Sequence, residues 1–237
     1  MPRRKVLVLA GTTEARRLCS QVRELPVCAS LAGATEKPAD LAVPTRHGGF
    51  GGEAGFRAAL QDVSAVVNAT HPFAQRMTAR AARLCVDLRV PYLRLLRPPW
   101  APEPEWTHAT DAATAARALP AKARVFLATG PGSLEAFLDR GLTLWCRRID
   151  PAPAVAGVTW VLGRPPFTLE HEIETFRSLS ITHLVTKNSG GGRAKLDAAR
   201  ALGIAVHMID RPRPAPGETT HDIARAVRFI QDHAANP

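Results

Sequence analysis

The chain of 237 residues lacks several things that would point to common chemistries. It has a single tyrosine, Tyr92, and Leu96 stands four residues beyond it, so the Tyr-x-x-x-Lys pair of short-chain reductases is excluded. There is no GxSxG elbow and no HExxH, which removes the usual serine hydrolases and zinc proteases. Its four cysteines, Cys19, Cys28, Cys85 and Cys146, form no CxxC pair and sit in apolar surroundings. That spacing argues against a metal site and reads as buried, reduced thiols of a cytoplasmic protein. No apolar run approaches the 18 or so residues of a membrane span, so no membrane is expected as partner. Aromatics make up only 5% of the chain, and lysine is scarce beside arginine.

What is present is a globular composition with a strong basic excess. Hydrophobic residues form 46% of the chain, enough for one large or two small cores. The formal charge of +10 fits nucleic acid, an acidic membrane or a polyanionic small molecule, or simply a solvated basic surface. The arginines are spread along the sequence and are not interleaved with aromatics, which speaks against nucleic acid. The opening "MPRRKVLVLA" has a short apolar run that ends in a Gly-Thr-Thr-Glu turn. It reads as a first strand and not as a signal peptide.

Short apolar runs alternate with helical patterns throughout, which predicts an α/β protein with parallel sheets. Strands are expected at 5–10, 26–31, 64–68, 91–96, 124–128, 142–148, 158–162, 182–186 and 204–209, with a possible short one at 105–108. Helices are expected at 13–24, 53–61, 72–86, 110–118, 132–139, 168–178, 192–202 and 219–233. The proline-rich "RPPWAPEPEW", Arg97 to Trp106, breaks the alternation. It places a boundary between domains 1–100 and 101–237. "VLVLAGTTEARRL" and "VFLATGPGSLEAFL" have the same strand, glycine turn and helix outline. Two Rossmann-like lobes facing a central cleft are the economical architecture, with ligands beyond the carboxyl ends of the strands.

Several loops carry candidate binding residues. After the first strand, Gly11 permits close backbone approach, Thr12 and Thr13 offer hydroxyls, and the next helix offers unpaired N–H groups. The dinucleotide fingerprint wants three glycines and this loop has one, so a phosphate cradle and a structural turn both fit. The second strand ends in Ser30 where an NAD site has an acid; the first acid is Glu36. With Lys37 and Arg46 nearby, that favours NADP over NAD if a dinucleotide binds. "RHGGFGG" sets Gly48, Gly49, Gly51 and Gly52 around Phe50, as a close backbone approach or a surface loop. In "VVNATHPFAQRM", Thr70 or His71 would cap a helix starting at Pro72, with Phe73, Met77, Ala81 and Leu84 on one face. His71 reads as a cap or a backbone-bonded imidazole before a proton donor. "VTKNSGGGR" offers Lys187, Asn188 and Ser189 to an anion and the main chain of Gly190, Gly191 and Gly192. It is not a Walker loop, because the lysine precedes the glycines. Arg94 and Arg97, in "YLRLLRPPW", suit carboxylates or lie on the surface.

Taken together, "GTTEAR" at 11–16, "ATHPFA" at 69–74, "LRLLRPPW" at 93–100, "TG" at 129–130, "VTKNSGG" at 185–191 and "HMIDRP" at 207–212 resemble the precorrin-6A reductase family, nearly end to end. The resemblance implies two Rossmann-like lobes and NADPH-dependent reduction of one double bond of precorrin-6A to precorrin-6B, a step of cobalamin biosynthesis. The first domain would bind NADPH and the second would bind substrate together with it. The pyrophosphate would lie at Gly11, Thr12, Thr13, Glu14, Ala15 and Arg16. The 2′-phosphate end would lie at Ser30, Gly33, Arg46, Gly48 and Gly49. Thr70, His71, Pro72 and Phe73 would border the nicotinamide. Arg94, Arg97, Lys187, Asn188, Ser189 and Gly190 would grip carboxylates of the tetrapyrrole-derived substrate, which gives the basic charge a purpose. The proton donor is not assigned, and no metal or nucleic acid is implied. Relatives act on the metal-free precorrin or on its cobalt complex. The rival from another class is a non-catalytic NADP-sensing or nucleic-acid-binding protein.

Overall fold

The structure is a computed structural model that describes residues 5–33 and 40–234. It is an α/β protein with two six-stranded parallel sheets, and the chain divides into two compact units. Glu36 and Lys37, named above for charge near the second strand, lie outside the described residues.

The first unit comprises Met1–Pro98 and Pro212–Pro237. Its strands are β1 (Lys5–Leu9), β2 (Val27–Leu31), β3 (Thr45–His47), β4 (Val63–Asn68), β5 (Tyr92–Leu95) and, from the end of the chain, β12 (Glu218–Thr220). They run in the order β12-β5-β4-β1-β2-β3. The continuous apolar run of β1 follows from burial on both faces. Val6 and Val8 face one core with Leu18 and Cys19 of α1 (Thr13–Gln21). Leu7 and Leu9 face another with Phe56 and Leu60 of α2 (Gly52–Gln61) and Leu84 and Cys85 of α3 (Gln75–Asp87). A parallel strand covered on both sides reads as unbroken hydrophobic sequence for this reason.

The domain boundary drawn from sequence needs correction at its far end, because residues 212–237 belong to the first unit. Two interactions bring them there. β12 pairs with β5, Thr219 opposite Arg94. On α7 (Ile223–Ala234), Ala226, Ile230 and Ala234 form an i, i+4, i+8 stripe buried in the same core as Leu93 and Leu95. Burying Ile230 alone is worth about 1.5–3 kcal/mol. The expected helix at 219–233 is therefore a short strand followed by a helix.

The second unit is Pro99–Arg211. Its strands are β6 (Thr107–Ala109), β7 (Arg124–Ala128), β8 (Thr143–Arg148), β9 (Val158–Leu162), β10 (His183–Lys187) and β11 (Ala205–Ile209), in the order β6-β11-β10-β7-β8-β9. Its helices are α4 (Ala112–Arg117), α5 (Leu169–Ser178) and α6 (Ala194–Ala201). Phe126, Leu184, Val206 and Met208 pack under Phe176 of α5 and Leu196 of α6. The helix expected at 132–139 is a 3-10 segment, Pro131–Phe137. Pro131 suits the first position of any helix, whereas Gly132 beside it is a poor residue for an α-turn to continue through.

Each sheet reverses its winding once, between β1 and β4 in the first unit and between β7 and β10 in the second. Such switch points are where open α/β sheets bind ligands.

Candidate functional site

In the first unit the switch point is built from the loops after β1 and β4. Gly11 has φ +147°, a region that side chains rarely adopt, and a Cβ there would meet no atom of the described residues within 4 Å. The loop thus combines a glycine-requiring backbone with open space beside it, which is what a phosphate needs to approach the main chain. Thr12 caps α1: its Oγ1 accepts from Ala15 N at 3.1 Å and donates to Ala69 O at 2.9 Å. That hydroxyl ties the two loops of the switch point together, so its role is to hold the cradle. The N–H groups of Thr13 and Glu14 have no internal partner in a helix and stand at its positive end. The Thr13 hydroxyl accepts from Arg16 Nη2 at 3.2 Å. Glu14 pairs with Arg97 at 3.1 Å, 83 residues away in sequence.

At the carboxyl end of β2, buried Ser30 lies opposite Arg46 of β3. Arg46 Nη1 donates to Ser30 Oγ at 2.9 Å and to Gly48 O at 3.1 Å, and Nη2 donates to Gly49 O at 2.9 Å. The guanidinium stacks 4.0 Å from the Phe50 ring centroid. Gly33 has φ +75°, and a Cβ there would press on Gly48 Cα at 3.4 Å, so the β2 and β3 ends meet through two glycines. β3 is not legible in the sequence, since two half-exposed residues and an exposed one carry no apolar alternation; it is the strand that brings Arg46 to Ser30.

After β4, the helix begins at Gln75 and not at Pro72, with Ala74 as a cap that makes no side-chain bond. The Thr70 hydroxyl is taken by Asn68 Oδ1 at 2.7 Å, and Phe73 N donates to His71 Nδ1 at 3.2 Å, so neither residue caps that helix. His71 is the backbone-bonded imidazole. Arg94, on β5, is 6% exposed, and its Nη2 reaches Pro72 O at 3.5 Å. Burial lowers its pKa from the ordinary arginine value.

In the second unit Lys187 ends β10 and its Nζ donates to Thr129 O at 2.7 Å, joining the loops after β7 and β10. Burial lowers its pKa, while the nearby Cys146 thiol acts in the opposite direction. Asn188 is buried and clamps the backbone of Trp100: Oδ1 accepts from Trp100 N at 2.9 Å and Nδ2 donates to Trp100 O at 3.3 Å. Its main-chain carbonyl accepts from Arg211 Nε at 2.7 Å, and Ser189 O accepts from Arg211 Nη2 at 3.0 Å. Gly190 and Gly191 have φ +68° and +84°, and the indole N–H of Trp100 donates to Gly191 O at 2.9 Å. The Asn188 side chain is thereby engaged in anchoring the proline-rich segment. The signals missed in sequence are polar residues closing apolar strands, Asn68 after "VSAVV" and Thr129 after "VFLA".

Burial pushes the thiols of Cys19 and Cys146 up to about 11 and that of Cys85 to about 12, so none is a thiolate nucleophile at neutral pH. Among the described residues no group of three or more His, Cys, Asp or Glu is placed to hold a metal ion, and no helix is long and apolar enough to cross a membrane.

The comparisons with known proteins agree with one another. The precorrin-6A reductase of Rhodobacter capsulatus is 40% identical over 246 residues, covering 98% of each chain. That of Rhodococcus erythropolis is 42% identical, covering 95% of this chain and 97% of its own. A solved structure described as CobK precorrin-6A reductase superimposes with a TM-score of 0.90 at 40% identity over 98% of both chains. Residues 5–231 match the sequence model of the family described as precorrin-6x reductase CbiJ/CobK, and the chain belongs to that family.

Proposed function

We propose that the chain catalyses the NADPH-dependent reduction of one double bond of the precorrin-6A macrocycle, giving precorrin-6B in cobalamin biosynthesis. The observation that carries this is the first unit's switch point, where the glycine loop at Gly11 and the Ser30–Arg46 pair occupy the two places at which a Rossmann sheet meets a dinucleotide. The relatives 40% and 42% identical to the chain bear the name of the metal-free reaction, whereas one named for the cobalt complex is 28% identical, which favours precorrin-6A over its cobalt complex.

The residues fit NADPH. Gly11 leaves room for the pyrophosphate, and the Thr13, Glu14, Ala15 and Arg16 turn begins a helix whose positive end attracts it. Arg46, held by Ser30, Gly48 and Gly49, presents a guanidinium where a 2′-phosphate lies and an NAD site would place a carboxylate. Gly33 lets that strand end come close. Thr70, His71, Pro72 and Phe73 follow β4 and border the nicotinamide end. Bound there, NADPH supplies the hydride; the protein supplies placement and field. In the second unit Lys187, Ser189 and Gly190 are offered to the carboxylates of the macrocycle. Asn188 shapes that loop through Trp100, Arg97 supports the first loop through Glu14, and Arg94 supports the loop after β4 through Pro72.

The test is incubation of the chain with NADPH and precorrin-6A, following the nicotinamide and macrocycle absorption bands together, with NADH and cobalt-precorrin-6A in parallel. Coupled loss of both bands with NADPH and the metal-free substrate is the expected result. No turnover with either macrocycle, beside intact NADPH binding, would favour the sensing protein.

A further inference from the structure

Asn68 closes β4, two residues before Thr70, and is fully buried. Its neighbours Val66 and Val67 are apolar, and an apolar residue at 68 would avoid the cost of burying an amide. The amide has two N–H donors and two acceptor lone pairs, and the structure fills all four. Nδ2 donates to Thr78 Oγ1 of α3 at 3.2 Å and to the Tyr92 hydroxyl of β5 at 2.9 Å. Oδ1 accepts from Thr70 N at 3.1 Å and from the Thr70 hydroxyl at 2.7 Å. One orientation alone satisfies these partners, because turning the amide over sets its N–H groups against the Thr70 N–H. Thr78 and Tyr92 belong to the helix and sheet framework, whereas Thr70 belongs to the loop. The amide is a pin between them. Two further contacts reach the same loop: the Thr12 hydroxyl on Ala69 O and Arg94 Nη2 on Pro72 O.

We propose that Asn68 is a positioning residue for hydride transfer: it fixes the Thr70 to Phe73 loop through Thr70 and takes its own orientation from Thr78 and Tyr92. This rests on the reading in which that loop borders the nicotinamide. A rigid loop there matters because a small misplacement of the reacting centres lowers the rate of the chemical step without weakening contacts to the distant phosphates. Effects should therefore fall on kcat and spare NADPH affinity.

The experiment compares Asn68→Ala, Asn68→Asp and the pair Thr78→Val/Tyr92→Phe with the wild-type chain, each checked for folding by circular dichroism and melting. Asn68→Ala should lower kcat by about tenfold or more while the Kd for NADPH stays within about threefold. Asn68→Asp keeps both contacts to Thr70 and can accept from the Thr78 and Tyr92 hydroxyls, so it should restore most of the lost rate. The Thr78/Tyr92 pair leaves Asn68 in place and removes both its framework partners, so it should lower kcat in the same direction; it decides the matter should Asn68→Ala fail to fold. An unchanged kcat in a folded Asn68→Ala or in the framework pair, or a loss confined to NADPH affinity, overturns the positioning role. A wild-type chain without NADPH affinity overturns the underlying reading and this role with it.

Discussion

Arg46 Nη1 donates to Ser30 Oγ at 2.9 Å, joining the ends of two neighbouring parallel strands. With the carbonyls of Gly48 and Gly49, Ser30 engages three of the five N–H donors of the guanidinium, and the Phe50 ring lies against its face. The plane of the fork is therefore set before a ligand arrives. A pre-positioned guanidinium whose other two donors have no partner among the described residues is suited to a phosphate dianion, and it loses little side-chain entropy on binding one.

Arg46→Ala is expected to weaken NADPH binding by about 1.5–3 kcal/mol, roughly 10- to 100-fold, and to leave NADH binding nearly unaltered. Arg46→Lys keeps the charge and loses the fork, so it should recover only part of the affinity. Fluorescence titrations with both cofactors check this. Equal losses for NADPH and NADH would place the 2′-phosphate elsewhere.

How much of this was legible follows from the length scale of each signal. The two glycine-containing turns, the alternation of strands and helices and the proximity of Ser30 and Arg46 in sequence are local and were readable. β3 and β12 were not, because three-residue strands such as "TRH" and "ETT" draw their order from a partner strand. The return of α7 to the first unit was hidden for the same reason: its apolar stripe names a core without saying which one. The pairing of Glu14 with Arg97 and the clamp of Asn188 on Trp100 join residues 83 and 88 apart, and single residues of that kind give no sign of their partners. They explain why polar residues that look free for a ligand are engaged in holding loops.

Gly11→Val should abolish NADPH binding in a folded protein. The substitution forces a β-branched residue to φ +147° and fills space that is open in the structure. Gly11→Ala adds the smaller group at the same angle and should weaken binding less. Calorimetric titration with NADPH, alongside melting curves to separate strain from occlusion, tests the order. Wild-type affinity in either folded variant would remove the pyrophosphate from this loop.

Acid should destabilise the second unit. His207 is 4% exposed, its Nδ1 is buried with no hydrogen-bond partner among the described residues, and its ring lies 5.5 Å from that of His183. Burial lowers the pKa of both imidazoles, and proximity to His183 lowers that of His207 further. The native state thus favours neutral rings, while the unfolded chain takes up protons from about pH 6.5 downward. Because the unfolded state binds more protons there, this contribution to stability is whole above about pH 6.5 and is lost as pH falls toward the lower native values. The melting temperature should decline between about pH 7.5 and 5.5, with a shallower slope in His207→Leu. Identical slopes would exclude His207 as the group responsible.

The buried pair of Arg147 and Glu172 sets up the last expectation. Arg147 Nη1 and Nη2 meet Glu172 Oε1 and Oε2 at 2.6 and 2.8 Å, and the guanidinium lies 4.6 and 4.2 Å from the ring centroids of Phe126 and Phe167. With side chains only 11% and 3% exposed, solvent screens this pair little. Glu172→Gln keeps the shape but leaves a buried cation uncompensated, and should cost about 3–5 kcal/mol in urea denaturation. The double variant Arg147→Met/Glu172→Met removes both charges and should lose less than the single one. If the double variant is the worse of the two, the pair contributes net stability and the desolvation argument fails. NADPH affinity should stay nearly unchanged in both, because β8 and α5 belong to the second unit whereas Gly11 and Arg46 belong to the first.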